Sequence, residues 1–128
     1  MEEEPEIPEI EPEKTDSRKR ETDDALSSIL EDMKSQGVNG AIVRSDGVLV
    51  HSTIAIPDSG AQMLASLANT SDALMKRIND RQREVELTFD NLILVIIPIK
   101  DHLFAGAVKS REQKKIVRDF AAKAKEAL

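Results

Sequence analysis

Residues 37–52 read GVNGAIVRSDGVLVHS, and this stretch decides the fold. Residues 40–44 form one β-rich run, Ser45-Asp46-Gly47 form a tight turn, and a second strand is expected over residues 48–56. Asp-Gly between two such runs is a strong hairpin signal, because both residues tolerate φ > 0. The second strand alternates Val48, Val50, Ser52 and Ile54 against Leu49, His51, Thr53 and Ala55. Both sets are partly apolar, so layers should cover both faces of the sheet.

Downstream, Pro57-Asp58-Ser59-Gly60 breaks the strand and opens a helix over residues 58–79, with Asp58 or Ser59 as its cap. At 100° per residue, Leu64, Leu67, Ser71, Leu74 and Ile78 form one stripe. Ala61, Ala65, Ala68 and Met75 form a second stripe beside it, with Met63 at the opposite margin. Together the stripes span roughly 200° of the helix, whereas a one-sided amphipathic helix needs only about 100° to 140°. Such a helix has two partners. Small residues in the second stripe let another backbone approach closely, which is an early pointer to assembly. The remaining polar arc holds Gln62, Ser66, Asn69, Thr70, Ala73, Lys76 and Arg77.

Upstream, a helix is expected over residues 22–36, with Thr22 or Asp23 as cap, Leu26, Ile29, Leu30 and Met33 as its stripe, and Gly37 as its stop. Beyond the second helix, a third strand over residues 84–89 should point Val85, Leu87 and Phe89 inward. After the Asp90-Asn91 turn, residues 92–99 (LILVIIPI) are apolar on both faces and read as the central strand. Pro98 implies a local loss of pairing there. A fifth strand over residues 103–108 precedes a Ser110/Gln113 capping box and a last helix with the stripe Ile116, Phe120, Ala124 and Ala127. The order is α-β-β-α-β-β-β-α, an α+β chain whose hairpin-length links favour a five-stranded antiparallel sheet.

The formal net charge of −6 is unevenly spread. The first 13 residues hold seven Glu and no base, and removing those seven from the 24 acids leaves 17 against 18 bases. The chain therefore divides into a disordered acidic leader, residues 1–21, and a nearly neutral domain, residues 22–128. Nucleic acid is not an expected partner, because no excess of positive charge exists to displace counterions. With 2% aromatic residues the core must be aliphatic, and stacking platforms are scarce. The absence of Cys fits a cytoplasmic chain. No apolar run reaches membrane-spanning length, and the Glu-rich start is no signal peptide.

The order of elements, the hairpin GVNGAIVRSDGVLVHS, the Ala/Leu-rich second helix and the closing LFAGAVKS together resemble the roadblock family. This is the family of dynein light chains and of regulators of Ras-like GTPases. The likeness covers residues 23–128 and is most specific in the hairpin. It implies a profilin-like architecture, with helix 2 on one face of the sheet and helices 1 and 3 on the other. It further implies a homodimer in which helix 2 pairs with its copy and the third strands join. On this sequence that interface is Ala61, Ala65, Ala68 and Met75 with Val85 and Leu87, which leaves Leu64, Leu67, Leu74 and Ile78 to cover the chain's own sheet. A small GTPase would dock across the helix-2 face, where helical geometry offers Gln62, Ser66, Asn69, Thr70 and Arg77.

Other chemistry is poorly supported. There is no GxxxxGK[ST] or GxGxxG, no nucleophile elbow, and no spacing that unites His51 and His102 in a metal site. Asn69-Thr70-Ser71 matches a glycosylation sequon by chance, in mid-helix. The cluster Lys76, Arg77, Arg81 and Arg83 reads as a solvated helix end, or as a dock for an acidic partner or the chain's own leader. The functional expectation is a non-enzymatic homodimer without cofactor or metal that binds a Ras-like small GTPase. Arg44, Arg77 and Arg81 are its only candidate arginine fingers. Two alternatives stand beside it: a scaffold or light-chain subunit without GTPase contact, and a small-molecule sensor domain.

Overall fold

The period-2 runs and helical stripes resolve into eight elements in a computed structural model that describes residues 10–128, with side chains from Arg18 onward. They are α1 (Ile10–Ser35), β1 (Asn39–Arg44), β2 (Leu49–Ser52), α2 (Asp58–Arg77), β3 (Val85–Thr88), β4 (Ile93–Ile99), β5 (His102–Val108) and α3 (Arg111–Ala127). The strands form one antiparallel sheet in the order β2-β1-β5-β4-β3. Helix α2 links the two edge strands, so it must cross the sheet.

The sequence of β5, HLFAGAV, explains the two layers. Phe104 and Val108 join α1 and α3 residues, among them Leu26, Leu30, Met33, Val117 and Phe120, in the larger core. Leu103 and Ala105 point the other way and pack with Ala65, Ala68 and Ile96 under α2. Gly106 lies on the α3 side, where a Cβ would come 2.5 Å from Val117 Cγ2. Its lack of a side chain is what lets α3 lie close to the sheet.

Several boundaries differ from expectation for local reasons. Helix α1 begins at Ile10, so Thr22 and Asp23 stand in mid-helix and cap nothing. Pro12 falls in its first turn, where the missing N–H has no intrahelical acceptor to serve. The part of the expected disordered leader at residues 1–9 lies outside the described residues. The β1–β2 turn places only Gly47, and not Asp46, at positive φ (96°). Gly47 N donates to Arg44 O at 2.8 Å and Arg44 N to Val48 O at 2.8 Å, a three-residue loop ending in a left-handed glycine.

Strand β2 stops at Ser52, four residues short of the expected end. The Ser52 hydroxyl bonds the Ile54 carbonyl at 2.5 Å and accepts from Ile54 N at 3.1 Å, which turns the chain out of the sheet. Pro57, rather than Asp58 or Ser59, occupies the cap position of α2. Ser110 does cap α3, but its hydroxyl makes no capping bond; Gln113 Oε1 reaches back instead to Lys109 N at 2.7 Å. Pro98 sits in β4 opposite Leu103, beyond Ile96, the last β4 residue that pairs with β3. Phe89, expected to point inward, follows the end of β3 and is 55% exposed.

Candidate protein-interaction surface

The two stripes of α2 exchange the roles expected of them. Ala61, Ala65 and Ala68 are 0%, 4% and 1% exposed, so they cover the chain's own sheet and are closed to a partner. Met63, Leu74 and Ile78 are 70%, 57% and 61% exposed, and Leu67 is 36% exposed. The reason lies in the sheet. Its α2 face is paved with Ala41, Ala105 and Ala107 beside Leu94 and Ile96, a low surface that small helix residues can approach closely. Leucines there would hold the helix away. Met75 is half-buried at the margin, and so are Val85 and Leu87 on β3.

Beside α2 an apolar groove of about 380 Å³ remains open, with Leu64 and Leu67 on one wall and Leu87, Leu94 and Ala107 on its floor. Its lining is almost wholly aliphatic. Met63 and Leu67 of the exposed α2 stripe line this groove, and β3, whose Leu87 lines it too, offers an unpaired edge four residues long. Phe89 and Leu92 add further exposed apolar surface at the β3–β4 turn. Exposed apolar side chains in this number on one small domain are of the kind that marks an interface.

The five polar candidates on α2 are all exposed. Two of them lie against the β1–β2 turn. Asn69 Nδ2 donates to the Ser45 carbonyl at 3.1 Å, and the Gln62 side chain lies over Gly47 so closely that a Cβ there would be 3.2 Å from Gln62 Cγ. Ser66 falls between them on the helix. Thr70 and Arg77 project nearer the apolar stripe. Of the arginines, Arg44 is half-buried with Nε unpartnered, and its contact with Asp46 is long at 3.8 Å. Arg77 and Arg81 are exposed.

Elsewhere the polar groups serve the fold. His51 Nε2 meets Glu31 Oε2 at 2.9 Å, and His102 Nδ1 meets Asp101 Oδ1 at 2.8 Å, so each histidine already has a carboxylate neighbour. The hydrogen bond with His102 holds the Asp101 carboxyl below its ordinary value. Among the described residues no group of three or more His, Asp or Glu side chains is placed to hold a metal ion. Among them, too, no helix is long and apolar enough to cross a membrane.

The architecture is that of roadblock domains and profilins. An MglB in a tetrameric arrangement superposes with a TM-score of 0.64 at 20% identity, covering 84% of this chain and 93% of that one. A roadblock/LC7 domain from Streptomyces avermitilis gives 0.66 at 13% identity, covering 78% and 94%. Profilin IB of Acanthamoeba castellanii gives 0.62 at 12% identity, covering 79% and 97%. No family model and no curated protein matches the sequence. The roadblock fold expected from the hairpin and the order of elements is therefore the fold observed.

Proposed function

We propose that this chain is a roadblock-type regulatory subunit that self-associates through α2 and β3 and binds a Ras-like small GTPase across the polar arc of α2. The observation that carries the reading is the outward stripe Met63, Leu67, Leu74 and Ile78, whose Met63 and Leu67 line an apolar groove that also takes in Leu87 of the unpaired edge strand. A second copy satisfies all three at once by presenting the same stripe and the same edge across a twofold axis. The dimer contacts are then these four residues with Val85 and Leu87, in place of the alanine stripe. An MglB that assembles as a tetramer on the same fold supports self-association.

Such a dimer would leave Gln62, Ser66, Asn69, Thr70 and Arg77 facing outward beside the β1–β2 turn, where a GTPase could dock. The proposed role is non-enzymatic. Any stimulation of hydrolysis would act by reshaping the GTPase's own site or by lending Arg77 or Arg81, the two exposed arginine candidates. Light scattering followed by binding to the host's small GTPases, loaded with GDP or a GTP analogue, tests both parts. A dimer mass with binding that depends on the nucleotide is expected. A monomer refutes the interface, and a dimer that retains none of the GTPases refutes the partner and leaves the scaffold reading.

A further inference from the structure

The basic cluster around the end of α2 is divided by the fold. Lys76 pairs with Asp72 at 3.1 Å within the helix. Arg81 and Arg83 instead join Arg118 and Lys125 of α3 around a separate groove of about 450 Å³. Among the described residues Glu84 is the only acid that lines it, and Arg118 takes both of its carboxylate oxygens, at 3.0 and 2.9 Å. Arg81, Arg83 and Lys125 are exposed and have no ion-pair partner among the described residues. Ile97 and Pro98 of β4, with Ala121 and Ala122 of α3, give the groove an apolar lining. It thus joins three uncompensated positive charges to apolar surface.

The groove lies on the side of the sheet away from α2. Ile97 packs with the core that α1 and α3 share, whereas α2 covers the other face over Ile96, Leu103 and Ala105. Of the residues given above to the dimer and to the GTPase, only Arg81 lines it. We propose that this groove binds an acidic peptide segment of a partner protein, one that carries an apolar side chain among its carboxylates. Charge complementarity sets the sign of the occupant, because the only lining acid is already spent on Arg118. The apolar lining sets its class. Phosphate groups would satisfy the cations and leave Ile97 and Pro98 uncovered, while a leucine or isoleucine flanked by glutamates answers both.

Exposed ion pairs are individually weak, so three of them with one covered apolar side chain make a reversible attachment. The consequence is a two-sided molecule. Its α2 face serves self-association and the GTPase, and its α3 face holds an acidic partner at the same time. Binding in the groove needs neither the dimer nor the GTPase, so it stands or falls separately from them.

The probe is a capped peptide of glutamates around a central leucine, titrated into the isotopically labelled full-length protein. Amide signals of residues 81–84 and 118–125 should shift in ~0.1 M salt. The apparent Kd should rise at least about tenfold in ~1 M salt, as the Debye length falls from about 10 Å to about 3 Å. Serine in place of the peptide's leucine should weaken binding about threefold or more. Arg83→Glu/Lys125→Glu, at two exposed sites, should abolish the shifts and leave the rest of the spectrum unchanged. Shifts centred on α2, indifference to salt or to the double substitution, or equal binding of the serine peptide overturns the proposal. So does the same set of shifts with inorganic phosphate at equal concentration, which would make the groove a simple anion site. Co-sedimentation with phosphatidylserine vesicles that the double substitution removes would make it a membrane contact instead. Shifts that grow with protein concentration before any peptide is added would give the groove to a second copy, and overturn the proposal as well.

Discussion

Arg118 grips Glu84 through two hydrogen bonds, Nε at 3.0 Å and Nη2 at 2.9 Å, tying the middle of α3 to the residue just ahead of β3. Lys114 makes a second such tie to Glu86 inside the strand. Strand β3 has only four residues and pairs with β4 alone, so these links to α3 hold its register while its other edge stays open. The same strand that the proposed dimer extends is thus fixed by charge from its polar side.

The pair sets an acid response. The Arg118 hydrogen bond, ahead of burial, which works against it, holds the Glu84 carboxyl below its ordinary value of 4.5. A folded-state value below the unfolded one stabilises the native state above the unfolded value, and the gain disappears as pH falls through the folded value. A carbon-detected titration of the Glu84 carboxyl should therefore find its midpoint below 4.5 and see it rise in Arg118→Ala. Wild type should then lose stability relative to that variant only as pH drops below 4.5. An unchanged midpoint in the variant would show that the bidentate contact does not persist in solution.

The exchange of stripes on α2 separates two substitutions only nine positions apart. Ala65→Glu places a carboxylate between the helix and Ile96, Leu103 and Ala105, and should cost on the order of 3 kcal/mol. Leu74→Glu alters a side chain 57% exposed in the single chain and should leave its melting temperature, measured at high dilution, nearly unchanged. Its effect should appear in light scattering, as a dimer reduced to a monomer. If Leu74→Glu keeps the dimer, the outward stripe is not the interface.

The hairpin and the order of elements were legible because each rests on a short-range rule: Gly47 for the turn, and apolar or alternating runs bounded by turn residues for the strands. The assignment of the α2 stripes was not. Helical periodicity shows that two apolar stripes exist, yet it cannot say which one the sheet accepts, since that depends on the height of residues on another element. The signal was present in Ala105 and Ala107, whose small size on the α2 face calls for a close helix and hence for alanines. The start of α1 was missed for a related reason. Glu, Lys and Arg are good helix formers, so residues whose composition resembles a leader also extend a helix already nucleated by its buried end.

Gly106 offers a test of how tightly α3 is seated. A Cβ there would lie 2.5 Å from Val117 Cγ2 and 2.9 Å from Cγ1, and Val117 is fully buried, so neither side can move freely. Gly106→Ala should cost about 1–3 kcal/mol through overpacking. Val117→Ala should lose about 1–3 kcal/mol through its cavity. Combining them should cost clearly less than the sum, because the new methyl fills part of the space that valine vacates. Additive losses in thermal or urea unfolding would mean that the helix relaxes away from the sheet instead.

The polar arc of α2 can be probed without touching either apolar contact. Ser66 and Thr70 are exposed and their side chains make no hydrogen bond among the described residues, whereas Asn69 holds the Ser45 carbonyl and Gln62 shields Gly47. Ser66→Arg should therefore preserve the mass and the melting temperature while weakening GTPase binding about tenfold or more, some 1.4 kcal/mol. Asn69→Ala should act less directly. It frees the β1–β2 turn from the helix, so its effect should appear first as faster amide exchange at Arg44 and Gly47, whose N–H groups close that turn. Loss of binding in Asn69→Ala with full binding in Ser66→Arg would move the docking surface off the helix and onto the turn.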